Sequence, residues 1–195
     1  MEGTKRKPGR PPSQKARTAI FKATMELLLE HGLRKMTIDK VAEHAGVSKA
    51  TIYRWWSDKV QLSMEAFVYH VQIEGTIMNT GNIVDDYIDW FCKLHRFYSS
   101  PEGRVLAQIM AESQSRQEML LPFQERLRAM LYDKCMIIWN RALERGELDD
   151  TIDAMLTIEL LHSPSSYRML SNQPPLDDEA TAKMIRLLFQ GIKKQ

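Results

Sequence analysis

The chain has 195 residues, 44% of them hydrophobic and 27% charged, which suits one large folded domain or two small ones and excludes a disordered polyelectrolyte. The formal net charge of +2 hides a division: residues 1–60 hold 13 Lys/Arg against 6 Asp/Glu, and residues 61–195 hold 14 against 19. A basic beginning on an acidic remainder points to a polyanion as the partner of the first sixty residues. No apolar run is long enough to cross a membrane, and the basic start lacks the apolar stretch of a signal peptide, so a cytoplasmic protein is expected.

Residues 1–14 are rich in proline, glycine and basic residues and read as a disordered basic arm. From Ala16 the pattern becomes helical: Ile20, Ala23, Thr24, Leu27, Leu28 and His31 share one face, and Gly32 is placed to end the helix. Thr37 is an N-cap for a short helix striped by Ile38, Val41, Ala42 and Ala45. Gly46 breaks that helix, and Ser48 caps another beginning at Lys49, with Val47, Ile52 and Trp56 as its core face. Ser57 and Asp58 open a fourth, longer helix carrying Val60, Met64, Phe67, Val68 and Val71.

The pattern stays helical after residue 80. One amphipathic helix ends before "SSPEG", the next begins at Pro101, and the longest is stopped by Gly146. Asp149 or Asp150 is a cap for the following helix, which Pro164 should kink or divide. The last helix is striped by Ala180, Met184, Ile185, Leu188, Phe189 and Ile192. With no period-two alternation and no internal repeat, the chain reads as all-α with about nine helices. The expected division is an arm at 1–14, a three-helix DNA-binding domain at 15–60, a connecting helix at 61–80 and a helical domain at 81–195.

Helix, glycine turn and very short helix is the helix-turn-helix arrangement. A helix of barely two turns is marginal alone, so its outward residues need a purpose beyond folding. Lys49, Thr51 and Tyr53 are donors for phosphates, Arg54 suits a guanine edge, Trp55 suits a sugar face or a phosphate, and Lys59 lies near the backbone path. The stretch "TIDKVAEHAGVSKATIYRWWSDKVQL" resembles the DNA-binding region of TetR/AcrR-family transcriptional regulators, in a register that runs from about Ala16 to Phe67. By that resemblance Thr37, Thr51, Tyr53 and Lys59 contact phosphate, and Lys49, Ala50 and Arg54 face bases or backbone. Ser48 belongs to the same turn. Trp55 stands where the family often has His, and Trp56 where it often has Phe. Pro8-Gly9-Arg10-Pro11 resembles the core of an AT-hook. Arg10 is either a minor-groove reader or part of a solubilising tail.

The resemblance also implies a C-terminal ligand-binding and dimerisation domain, two C-terminal helices forming the homodimer interface, and a pseudo-palindromic duplex operator. "RALERGELDDTIDAMLTIELLHSPSSYRML" and the final helix look like the C-terminal domain of one TetR subgroup, with Ser163-Pro164 where relatives often have Gly-Pro. Met and aromatic residues on the central helices offer walls for a small-molecule effector: Phe91, His95, Tyr98, Met110, Met130 and Trp139 are the candidates. At helical spacing such residues are more often core than pocket. Asp85, Asp86 and Asp89 read as a solvated face or an N-terminal acidic face favoured by the helix dipole.

The five histidines are scattered and the two cysteines, Cys92 and Cys135, form no ligand spacing. Neither a phosphate loop nor a nucleophile elbow is present. No catalytic residue, metal or cofactor is expected. The expected function is a one-component regulator, a repressor released from its operator by an effector. Two other readings stay open: a DNA-bound architectural or protein-regulated factor without effector, and a ligand carrier or enzyme on the same scaffold.

Overall fold

The computed structural model describes residues 14–71 and 76–192. Among the described residues there are nine helices and no strand. They fall into two compact units, Met1–Gln72 with Gln108–Phe123, and Ile73–Ala107 with Gln124–Gln195. The arm at 1–14, Arg10 included, lies outside the described residues except for Gln14.

The first unit holds α1 (Gln14–Lys35), α2 (Ile38–Ala45), α3 (Lys49–Tyr53) and α4 (Lys59–His70). Its stripes meet as the spacing predicts: Ile20, Leu27 and Leu28 of α1, Val41 of α2, Ile52 of α3 and Phe67 of α4 are all buried. Each such side chain contributes about 1.5–3 kcal/mol on leaving water. Phe21 meets Trp56 edge-on with ring centroids 5.6 Å apart. Gly32 takes φ 73°, ψ 166° and breaks the α1 helix near its end, as a glycine can and other residues rarely do.

Side chains then fasten the segment after that break. Lys59 Nζ donates to the carbonyls of Leu33, Arg34 and Met36 at 2.8, 3.1 and 3.3 Å. Leu33 N donates to Gln108 Oε1 at 2.7 Å. Asp58 caps α4 through Oδ1, which accepts from Val60 N and Gln61 N, while its Oδ2 accepts from Arg116 Nη1 at 2.6 Å. Residues 108–123 therefore pack with the helix-turn-helix, so chain order alone misplaces this boundary.

The second unit holds α5 (Ile83–Ser99), the first half of α6 (Pro101–Ser113), α7 (Gln117–Glu144) from Gln124 onward, α8 (Ala154–Leu170) and α9 (Asp178–Ile192). Its core gathers Tyr87, Trp90 and Phe91 of α5, Ile138 and Trp139 of α7, Ile158 and Leu161 of α8, and Ile185 and Phe189 of α9. Gly146, at φ 71°, ends α7 with Glu147 N bonded back to Ala142 O.

Three expectations change here. The cap of α8 is Asp153, whose carboxylate accepts from Leu156 N at 3.0 Å. Asp149 instead closes a local turn onto Thr151. Of the two outcomes expected at Pro164, a kink or a division, the division does not occur: α8 runs on through it, with Leu161, His162 and Ser165 packed on either side. Asp86 is fully buried rather than solvated. It accepts from Thr80 N and Oγ1 at 2.7 and 2.8 Å, with Arg145 Nη2 3.7 Å from its other oxygen. Arg145 also donates to Glu147 and Asn79, and Glu147 accepts from Ile83 N, so this network ties the start of α5 to the end of α7.

Candidate functional site

The turn between α2 and α3 is set by Gly46 at φ 64°, with Val47 N bonded to Ala42 O at 3.0 Å. Ser48 Oγ accepts from Thr51 N at 3.1 Å and lies 2.9 Å from Thr51 Oγ1, so the cap holds the first turn of α3 at both backbone and side chain. Thr37 caps α2 in the same way, accepting from Lys40 N at 3.3 Å. From below, Ile52 and Trp56 fix α3; both are buried. Val47, the third expected anchor, is half-buried.

This scaffold turns the remaining residues outward. Thr37, Ser48, Lys49, Ala50, Tyr53 and Arg54 are exposed, and Thr51, Trp55 and Lys59 are half-buried. Tyr53 keeps 54% of its surface in solvent, a large amount for an aromatic with apolar alternatives nearby. Lys49 Nζ is 2.7 Å from Asp39 in an exposed pair. Such a pair is weak, so a phosphate can take the place of Asp39 as its partner. Lys59 has a different local role: all three ammonium protons have backbone acceptors at the end of α1. A phosphate contact by Nζ would require giving up one of them. The long-range bonds of Gln108 and Arg116 have no signal in local sequence, since their partners lie 75 and 58 residues away.

The family model for bacterial regulatory proteins of the tetR family matches residues 20–66, and the model for a tetracyclin repressor-like C-terminal domain matches residues 77–188. The chain belongs to the TetR family. It is therefore a helix-turn-helix transcriptional regulator, in a family of regulators rather than enzymes. The chain is similar to the uncharacterised HTH-type transcriptional regulator YdeS of Bacillus subtilis, 30% identical over 96% of this chain and 94% of that one. The TetR family transcription regulator SCO0332 shares its fold with a TM-score of 0.73 at 24% identity, covering 92% of this chain and 99% of that one. FadR from Bacillus subtilis, solved in complex with stearoyl-CoA, gives a TM-score of 0.66 at 19% identity, over 90% and 98%.

In this TetR-family chain three of the six candidate pocket residues lie together on α5, His95 having its ring centroid 6.1 Å from that of Phe91 and 6.4 Å from that of Tyr98. Phe91 and Trp139 belong to the core of the second unit, and Met110 is buried with the first. Met130 is half-buried on α7. Tyr98 lines a cavity of about 250 Å³.

His95 is buried between α5, α8 and α9, with Nδ1 2.6 Å from Thr181 Oγ1 and Nε2 2.5 Å from Ser165 Oγ. The Thr181 hydroxyl donates to Asp177 O, so it accepts from Nδ1–H, and Nε2 accepts from Ser165. That is a neutral imidazole, in agreement with a pKa lowered to about 4 by burial and by the charge of Arg168. Nearby, His162 stacks on Tyr132 at 5.1 Å and is also lowered to about 4, by burial and then by His95. Burial pushes the Cys135 thiol up to about 12 and Cys92 up to about 11, which keeps both protonated and poorly suited to redox sensing.

One face of α8 is apolar and uncovered. Leu156, Leu160, Tyr167 and Leu170 recur at spacings of four, seven and three, each more than half exposed. Leu187 of α9 is 71% exposed. No helix among the described residues is long and apolar enough to cross a membrane.

Proposed function

We propose that this regulator is a homodimeric repressor that reads a pseudo-palindromic operator through α3 and is released by a small-molecule effector bound in its second unit. The observation that carries the reading is α3 itself. Five residues are held by Ile52 and Trp56, yet they present Lys49, Tyr53 and, at the cap, Arg54 to solvent. Such a helix does not fold for its own stability, and its outward groups suit phosphates and base edges.

Dimerisation through α8 and α9 is supported by the uncovered leucine stripe and by the geometry of duplex reading, in which two half-sites lie about 34–36 Å apart. Ligand control is supported by the tetracyclin repressor-like model over residues 77–188 and by the acyl-CoA found in FadR. A population shift suffices as mechanism: an effector that prefers a conformation with mismatched half-site spacing weakens operator binding by its differential affinity.

The test is binding of the purified protein to the DNA flanking its own gene, with excess competitor and a salt series. Binding of one dimer per site, weakening with salt, is expected. Binding no tighter than to competitor on that DNA and on genomic fragments would overturn the reading.

A further inference from the structure

A second feature of the C-terminal unit carries chemistry of its own. The cavity of about 250 Å³ forms where the end of α5, the first turns of α6 and the end of α8 with its following turn meet. Tyr98, Arg104, Ser165, Arg168 and Gln173 supply its polar wall, and Met169 its apolar one. No Asp or Glu lines it. Gly103 makes the shape possible: a methyl group there would collide with the carbonyl oxygens of Phe97 and Tyr98, so only glycine lets α6 begin this close to α5.

Among the described residues, neither arginine of the cavity is paired with an acid, a state they share with Arg141, which donates to Met78 O and does not line the cavity. Arg116 and Arg145 pair with carboxylates, as does Arg96 on the surface. Arg104 and Arg168 are held by neutral acceptors instead. Arg104 Nη1 donates to Ser99 O at 3.3 Å, and Arg168 Nη1 donates to Pro174 O at 3.0 Å and Gln173 Oε1 at 3.4 Å. Among the described residues neither lies within ion-pair distance of a carboxylate. Each guanidinium is thus oriented through one terminal nitrogen, with further N–H donors left over in a fixed plane. Two cations lining one small, acid-free cavity repel each other, and an anion between them relieves the repulsion.

We propose that this cavity binds a small organic anion, a carboxylate or phosphate ester on a compact apolar body, through Arg104 and Arg168. Guanidinium planes match both head groups. The volume lies just under the ~300–1,000 Å³ of sites for drug-sized ligands, so the body is compact. Met169 and Tyr98 give that body an apolar contact that a bare inorganic ion does not use. The proposal deepens the regulator reading by naming a ligand class for the second unit, and it rests on that reading only for the link to operator release, because binding itself is measured without DNA.

Isothermal titration of the full-length protein with benzoate, phenyl phosphate, inorganic phosphate and benzyl alcohol tests it. At least one of the two organic anions should bind at least about tenfold tighter than benzyl alcohol and than inorganic phosphate, a difference of about 1.4 kcal/mol. Their ratio reports which head group is preferred. Arg168→Gln and Arg104→Gln should each weaken that binding at least about tenfold; Arg104 is exposed, so its variant keeps the fold and leaves the turn after α8 untouched. Benzyl alcohol or inorganic phosphate binding as tightly, no binding of either organic anion, or wild-type affinity in Arg104→Gln would overturn the site. Anion binding that leaves operator affinity unchanged would support the site and count against effector release through it.

Discussion

The first unit turns Lys49, Tyr53 and Arg54 outward from a helix of five residues, on anchors as apolar as Ile52 and Trp56. The second unit does the reverse. Its helix α8 buries His162 and Ser165 and leaves Leu156, Leu160 and Tyr167 in water. Polar groups outside suit an anionic partner met from solvent. Leucines outside at helical spacing suit a second copy of the same surface, while bonded polar groups inside give a core with one hydrogen-bonding pattern. The same chain therefore uses polarity in opposite senses, and each sense matches a different partner.

Substitutions can separate the two senses. Trp56→Ala removes the anchor and its edge contact with Phe21, and should cost about 3–5 kcal/mol of first-unit stability. Calorimetry should show that transition falling, and operator binding should vanish with it. Leu160→Glu places a charge in the uncovered stripe of α8. It should leave the melting temperature of the monomer fold nearly unchanged, shift sedimentation to the monomer, and weaken operator binding at least about 100-fold as the two half-sites lose their linkage. A dimer that survives this change would move the interface elsewhere.

Acid sharpens the comparison on the buried side. His95 and His162 are neutral when folded, with pKa values lowered to about 4, whereas an unfolded histidine titrates near 6.5. The unfolded chain binds more protons in that interval, so the stabilisation is complete above pH 6.5 and is lost as pH falls toward 4. Denaturant titrations should show up to about 1.4 kcal/mol lost per pH unit for each histidine. His95→Gln should shed its share of that slope. A flat stability profile between pH 6.5 and 4 would contradict the buried neutral pair.

The smallest contrast lies between two lysines ten residues apart. Lys59→Ala strips the ammonium from three carbonyls and should cost about 2 kcal/mol of stability. Lys49→Ala breaks only an exposed pair with Asp39 and should cost less than about 1 kcal/mol. In DNA binding the order reverses: losing the Lys49 contact should flatten the salt dependence by about 0.9 in log–log slope, and losing Lys59 should leave the slope nearly unchanged.

These lysines also show what sequence made legible. Both are basic residues at helix starts, and the register of the motif places both against DNA. The folded chain separates them, because the acceptors of Lys59 are created by the break at Gly32, far away in sequence. Local features were readable: Thr37, Ser48 and Asp58 cap their helices, Gly46 and Gly146 end theirs, and the stripes of α1, α4 and α9 face the core. These follow from spacing within one or two turns. Asp86 looked like a surface carboxylate because it sits in an acidic run with the exposed Asp85, and nothing local reveals Thr80 and Arg145 around it. The pocket residues were hardest. Phe91 and Trp139 carry the same periodicity whether they line a cavity or fill a core, and nothing in the local sequence marks Arg104 and Arg168 as sharing one cavity.

The central claim is that α3, doubled by a two-fold axis, reads duplex DNA. In vitro selection of bound duplexes from a random library tests it most directly. The account predicts an enriched pseudo-palindrome whose half-sites lie about 34–36 Å apart centre to centre, or a multiple of one turn, and loss of enrichment when Tyr53 and Arg54 are both changed to Ala. Enrichment of no sequence, or of a site unaffected by that double change, would contradict it.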